Sequence, residues 1–235
     1  MTGRLHSIQS LGAVDGPGLR AVAFLQGCPL RCAYCHNPDT WDPAGGEEIE
    51  AASLAKRLLR YRGYWGKEGG VTVTGGEPLF QAAFVEELFT ILQGEGVHTA
   101  LDTSCTGDLA AAARVLDHTN LVLADLKFLT EEDYAKYCRG SLSRVEAFLR
   151  LTEQMGVPLW IRHVVVPGLT DGEAHIRALG EKASSFRNLQ KIELLPFRKL
   201  CLEKYRAMGI PFPLESVPEM DEAACEELAR ILPDL

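Results

Sequence analysis

No stretch of this chain approaches the ~20 consecutive apolar residues that a membrane-spanning helix requires, so no membrane segment is expected. Positive charge is scarce. Lysine and arginine together number 24 against 32 aspartates and glutamates, a formal net charge of −8. A broad nucleic-acid surface needs the opposite balance, so no nucleic-acid partner is expected. Residues 1–11 hold one basic side chain, Arg4, and no apolar core. They do not read as a secretory signal, which leaves the cytoplasm as the default. There is no internal repeat and no low-complexity tract.

What is present suits one ordinary domain spanning residues 1–235, long enough to bury a core without disulfides or a structural metal. The seven cysteines are unevenly placed: Cys28, Cys32 and Cys35 cluster, while Cys105, Cys138, Cys201 and Cys225 are scattered. A disulfide scaffold would be shorter and secreted. Clustered thiols in a reducing compartment point to metal or redox chemistry, and scattered ones to small buried apolar residues.

Apolar runs at 20–26, 71–74, 99–102, 121–125, 159–166 and 191–195 predict strands covered on both faces. Amphipathic stretches at 51–62, 82–93, 109–116, 144–155, 173–184 and 221–232 predict helices. Ser53 and Asp171 are candidate N-caps, and Gly94 and Gly156 stand where helices would end. Six strand-then-helix units predict a parallel α/β sheet with right-handed crossovers. Periodicity alone leaves two forms open, a doubly wound sheet and an incomplete barrel. In both, ligands gather at the carboxyl ends of the strands. The unusual residues fall there: the cysteines, Gly75-Gly76-Glu77-Pro78, Asp102-Thr103, Asp125-Leu126-Lys127 and Pro196-Phe197-Arg198.

The segment at 26–37 is the most informative. Thiolates are soft ligands suited to iron–sulfur clusters and to zinc. A cubane cluster held by three cysteines keeps one iron free to bind something else. Three rival readings compete. Cys32-Ala33-Tyr34-Cys35-His36 has the form of a c-type haem attachment site, but that needs export and leaves Cys28 idle. Structural zinc on Cys28, Cys32, Cys35 and His36 would require the adjacent Cys35 and His36 to splay apart. Three chance core cysteines would not cluster at a strand end.

The cysteine spacing, with Tyr34 before the last, resembles the signature of the radical S-adenosylmethionine superfamily. The flanks Val14-Asp15-Gly16-Pro17-Gly18-Leu19-Arg20, Gln26-Gly27-Cys28 and Cys35-His36-Asn37-Pro38-Asp39-Thr40-Trp41 resemble its glycyl-radical-enzyme activases. The likeness continues through Thr74-Gly75-Gly76-Glu77-Pro78, Trp160-Ile161-Arg162 and Ile192-Glu193-Leu194-Leu195-Pro196, so it spans nearly the whole chain. No cysteine lies between Cys35 and Val71, which leaves a single cluster and no ferredoxin-like insert.

This resemblance implies an incomplete (β/α)6 barrel with a 4Fe-4S cluster on Cys28, Cys32 and Cys35. It implies S-adenosylmethionine held by Tyr34, Cys35, His36, Gly76, Asp125, Leu126 and Lys127. It also implies a monovalent cation, sodium or potassium, at Asp102, Thr103 and the backbone near Leu123. Asp15 and Arg162 are candidates for positioning a substrate glycine segment, against the plainer reading of a structural ion pair. The chain departs from the pattern in three places. Arg198 stands where histidine is a usual cofactor contact, Ser104-Cys105 replaces an Asn-Gly, and Cys201 replaces a glycine. The implied partners are a glycyl radical enzyme as substrate and flavodoxin or ferredoxin as reductant, with the chain itself a monomer. Two alternatives are a different glycyl radical enzyme as partner, and a non-catalytic zinc or electron-carrier module.

Overall fold

A computed structural model describes residues 1–233. One eight-stranded sheet runs in the order β3-β1-β2-β4-β5-β6-β7-β8. Its strands are β1 (Thr2–Gly12), β2 (Arg20–Leu25), β3 (Glu47–Glu50), β4 (Gly70–Gly75), β5 (His98–Thr103), β6 (Leu121–Asp125), β7 (Leu159–Val165) and β8 (Leu189–Pro196). The last six in spatial order after β1, namely β2 and β4 to β8, pair in parallel. β1 and β3 add an antiparallel edge. The first and last strands in the order do not pair, so the sheet stays open. The six parallel strands are the six expected, in an incomplete barrel.

The helices are α1 (Ala51–Leu59), α2 (Ala82–Gly94), α3 (Leu109–Leu116), α4 (Glu131–Cys138), α5 (Leu142–Met155), α6 (Glu173–Ser184), α7 (Leu202–Met208) and α8 (Glu222–Ala229). Alternation along each strand sorts the side chains. Ala21, Ala23, Leu25, Val71, Val73, Leu101, Val122, Ala124, Leu159 and Ile161 join the main core beneath the helices. The other face carries a small apolar plug, Ala100, Leu121 and Leu123 with Trp160. Beyond the plug, toward the carboxyl ends, that face turns polar, with Thr74, Asp102, Asp125 and Arg162.

Four elements were not foreseen. β1 and β3 are half exposed, so neither shows a run of apolar residues. α4 presents only Tyr134 and Cys138 to the core, and α7 is seven residues long. Two expected caps are displaced. Ser53 lies inside α1, whose N-cap is Glu50. Asp171 precedes the Gly172 N-cap of α6 and accepts from Gly168 N instead. Gly156 does end α5, in the left-handed region at φ 67°.

Arg20 anchors the end of the sheet opposite the carboxyl ends. It is fully buried, and it donates to Thr72 Oγ1 at 2.6 Å and to the carbonyls of Pro17, Val71 and His98. Thr72 Oγ1 in turn donates to Asp15 O at 2.6 Å. One guanidinium therefore ties the 15–19 loop to two strands.

Candidate functional site

A cavity of about 260 Å³ opens at the carboxyl ends of the strands. Its walls include Cys28, Cys32, Cys35, Tyr34, His36, Gly76, Asp102, Thr103, Asp125, Lys127 and Arg162. The fold thus brings together most of the residues singled out from sequence, across three loops and three strands.

The cysteine loop is shaped from outside. Gly27 N donates to Thr40 O, Arg31 N to Cys138 O at 2.9 Å, and Ala33 N to Tyr137 O at 2.7 Å. The last two bonds hang the loop on the carboxyl end of α4, whose final carbonyls lack helical partners. Gln26 Nε2 donates to the carbonyls of Asp39 and Asp42 and closes the segment at its base. Burial pushes the Cys28 thiol up to about 12 and the Cys35 thiol up to about 11. Cys32 moves the other way. A hydrogen bond from the buried Cys138 thiol favours its thiolate and, with the nearby Lys127 charge, outweighs burial.

His36 directs Nε2 to the Arg198 carbonyl at 2.7 Å and is exposed. That bond takes it away from the three sulfurs, so a four-ligand zinc set is not assembled. Three soft donors share one cavity, and no group of three or more His, Cys, Asp or Glu side chains among the described residues closes on a single metal ion, so the loop suits a cluster that keeps one iron open better than one zinc.

The β4 end supplies the close wall. Gly75 sits at φ 116°, and a Cβ on Gly76 would lie 2.2 Å from Gly27 O. Only glycine permits β4 to approach the cysteine loop so closely. Gly76 N donates to Leu25 O and Glu77 N to Gly27 O. Glu77 is fully buried and accepts from Leu79 N at 2.9 Å, Thr103 Oγ1 at 2.6 Å, Ser104 N at 2.8 Å and Ser104 Oγ. It therefore rivets the β4 and β5 loops together. Cys105, at the position of the usual glycine, takes φ 62° and donates N–H to Thr103 Oγ1.

On the opposite wall Asp125 and Lys127 meet at 2.8 Å, Oδ2 to Nζ, as their i,i+2 spacing suggests. Burial alone would raise the Asp125 carboxyl, but Lys127 and Arg162 hold it below its ordinary value. Burial would likewise depress Lys127, yet Asp125 first, then Cys32 and Tyr34, keep it raised and charged. This is a half-buried ionised pair facing a cavity, not a solvated surface pair. Leu126 between them is fully buried, outside the cavity wall.

Asp102 Oδ2 accepts from Thr74 Oγ1 at 2.8 Å and pairs with Arg162 at 3.2 Å. Its carboxyl is raised to about 6, chiefly by burial and against the pull of Arg162. Across the ladder Asp102 sits opposite Leu123. Arg162 also approaches Glu193 at 3.5 Å. It has no direct bond to Asp15, whose Oδ2 is buried without a partner. The plain Asp15–Arg162 ion pair is therefore not formed. Burial raises the Asp15 carboxyl against the charges of Arg162 and Arg20.

One expectation is revised by side-chain direction. Arg198 donates to Met220 O at 2.8 Å and pairs with Glu222, so its guanidinium points away from the cavity and only its carbonyl serves the site. Tyr34 lines the cavity, but its ring leans on Phe128 (centroids 6.1 Å apart) in a group with Tyr134 and Tyr137. Sequence reasoning passed over Cys138, Tyr134 and His163. The available signal for the last was a polar residue in the apolar phase of β7.

Comparison with known proteins agrees with this geometry. Residues 22–179 match the radical SAM superfamily. The chain is 43% identical over 234 residues to a pyruvate formate-lyase-activating enzyme of Clostridium pasteurianum, covering 99% of this chain and 98% of that one. It is 42% identical to the enzyme of the same name from Staphylococcus epidermidis, covering 98% and 95%. Among solved structures, a domain of pyruvate-formate lyase-activating enzyme from Bacteroides vulgatus matches with a TM-score of 0.57 at 24% identity, over 70% of this chain and 92% of that one. QueE from Escherichia coli shares the fold with a TM-score of 0.53 at 20% identity, over 89% and 92%.

Proposed function

The chain belongs to the radical SAM superfamily and, within it, to the pyruvate formate-lyase-activating enzymes, and from that premise we propose how its own residues carry out the activation. It is an activase that installs a glycyl radical on pyruvate formate-lyase. When bound, the 4Fe-4S cluster and S-adenosylmethionine supply reductive cleavage of a carbon–sulfur bond and the carbon radical that takes hydrogen from a glycine Cα. Everything else falls to the protein.

Cys28, Cys32 and Cys35 hold the cluster. Lys127 and Asp125 offer a fixed cation and anion to the carboxylate and hydroxyls of S-adenosylmethionine, at little reorganisation cost because each already neutralises the other. Gly76 lets backbone approach the methionine end, while Tyr34, Cys35 and His36 frame the adenine side and Leu126, buried behind the wall, spaces Asp125 from Lys127. Asp15, with a free buried oxygen, accepts amide N–H groups of the incoming glycine segment, and Arg162 donates to its carbonyls. A sodium or potassium ion would sit at Asp102, Thr103 and the Leu123 backbone, a reading supported only by the hard oxygen of Asp102 and by the register that sets Asp102 beside Leu123. The continuous sheet supports a single domain. A flavodoxin or ferredoxin serves as reductant, and the chain works as a monomer in the cytoplasm.

The observation that carries this reading is three cysteines on one loop sharing a cavity with the half-buried Asp125–Lys127 pair. Anaerobic mixing of the reconstituted protein with pyruvate formate-lyase and S-adenosylmethionine tests it. Electron paramagnetic resonance should show a glycyl doublet on the partner. A protein that reconstitutes only with zinc, or a cluster signal indifferent to S-adenosylmethionine, would refute it.

A further inference from the structure

Along β7 every second side chain points beneath the helices, and three of the four there are apolar: Leu159, Ile161 and Val165. The fourth is His163, 1% exposed. A buried imidazole must satisfy both ring nitrogens. Nδ1 lies 2.6 Å from the carbonyl oxygen of Leu126. A carbonyl only accepts, so Nδ1 carries the proton and donates it. Nε2 is then the bare nitrogen of a neutral ring, and it faces His175 Nε2 at 3.3 Å. His175, in the first turn of α6, must therefore donate from Nε2. The chain of donors runs one way, from His175 to His163 to Leu126. Burial depresses both imidazoles, which keeps the pair neutral as this arrangement demands.

Leu126 is the middle residue of the turn that carries Asp125 and Lys127. Its N–H donates to Arg162 O at 3.0 Å. The next N–H, of Lys127, donates to the Tyr134 hydroxyl at 2.8 Å. Each peptide of this segment is thus tied down, by the Arg162 backbone and by the Tyr134 and His163 side chains, neither of which lines the cavity.

We propose that His163 is a positioning residue for S-adenosylmethionine: its Nδ1–H holds the Leu126 carbonyl, with His175 fixing the tautomer, so that Asp125 and Lys127 present their charges at the binding angle. This rests on the reading of Asp125 and Lys127 as cofactor contacts. Without the donor the buried carbonyl is orphaned, and its peptide rotates to seek another. The loss falls on binding, so KM moves while kcat stays.

Asparagine and glutamine separate this role from packing. An asparagine amide can place N–H where Nδ1 sits, whereas the longer glutamine reaches the Nε2 position. In the reconstituted enzyme His163→Gln should raise both the Kd and the KM for S-adenosylmethionine about tenfold. Its kcat and iron content should be unchanged, and His163→Asn should stay close to the unsubstituted protein. Unchanged affinity in His163→Gln overturns the proposal, as does equal damage in both variants, which would mean that only volume counts. Nitrogen-15 shifts of the unsubstituted protein give a second readout, independent of any variant's folding. His163 protonated at Nδ1 and His175 at Nε2 support the relay, and the opposite tautomer of His163 overturns it. Lys127→Ala checks the underlying reading separately: unchanged cofactor affinity there removes Lys127 from the site while leaving the His163 tautomer as it was.

Discussion

At the scale of single residues, Cys32 stands apart from its two fellows. It is the cysteine whose thiolate is favoured, by the Cys138 thiol and by Lys127. Cys32→Ala should abolish both the visible absorbance of the reconstituted cluster and 5′-deoxyadenosine formation; surviving product would remove it from the ligand set. Titration offers a second expectation. Burial pushes His98 and His163 down to about 4, while an unfolded histidine titrates near 6.5. Between those values the unfolded chain binds protons that the folded chain refuses, so stability is full above pH 6.5 and falls as pH drops toward 4. His163 alone accounts for roughly 3 kcal/mol of that loss. Urea midpoints at pH 6.5 and 4.5 should converge in His163→Asn relative to the parent. That Cys28, Cys32, Cys35, Gly76, Asp125 and Lys127 share one cavity was legible, because spacing and loop position put them at the strand ends. His163 and Cys138 were not, because each acts through a neighbour that only the folded chain provides.

Among the elements, the six parallel strands were legible because two-sided burial writes a continuous apolar run. β1 left no such trace: it pairs antiparallel near the edge, and half of its side chains stay wet. The direction of Arg198 was equally hidden, since its partners lie 22 and 24 residues further on. Two joints between elements invite substitution. Arg20 holds the carbonyls of Pro17, Val71 and His98 with one planar fork. Lysine keeps the charge but loses the fork, so Arg20→Lys should cost roughly 3 kcal/mol, read as a lower urea midpoint. At the other end, Gly76→Ala forces a methyl group into Gly27 O. It should separate β4 from the cysteine loop, lowering iron content on reconstitution and weakening S-adenosylmethionine about tenfold, as equilibrium dialysis would show. Full iron loading and affinity in that variant would mean that the close approach is dispensable.

For the whole molecule, most of the main core lies beneath the helices and meets the cavity only at its edge, through Tyr34, Cys32 and Val164. Folding should therefore not wait for iron. Chelation of the cluster should leave far-ultraviolet circular dichroism unchanged, in contrast to small metal-dependent domains that unfold when stripped; a collapse of the helical signal would contradict this. The open sheet belongs to the same scale. Six strand–helix units, counted from sequence, leave a side through which a protein loop can enter, where a closed barrel would admit only a small molecule. The carbonyls of Tyr137 and Cys138 carry the last consequence. Because those carbonyls hold the amides of Ala33 and Arg31, α4 and the cysteine loop move as one body. Amide exchange at Arg31 and Ala33 should accordingly follow that of α4, and faster exchange at these two positions than in the helix would break the link.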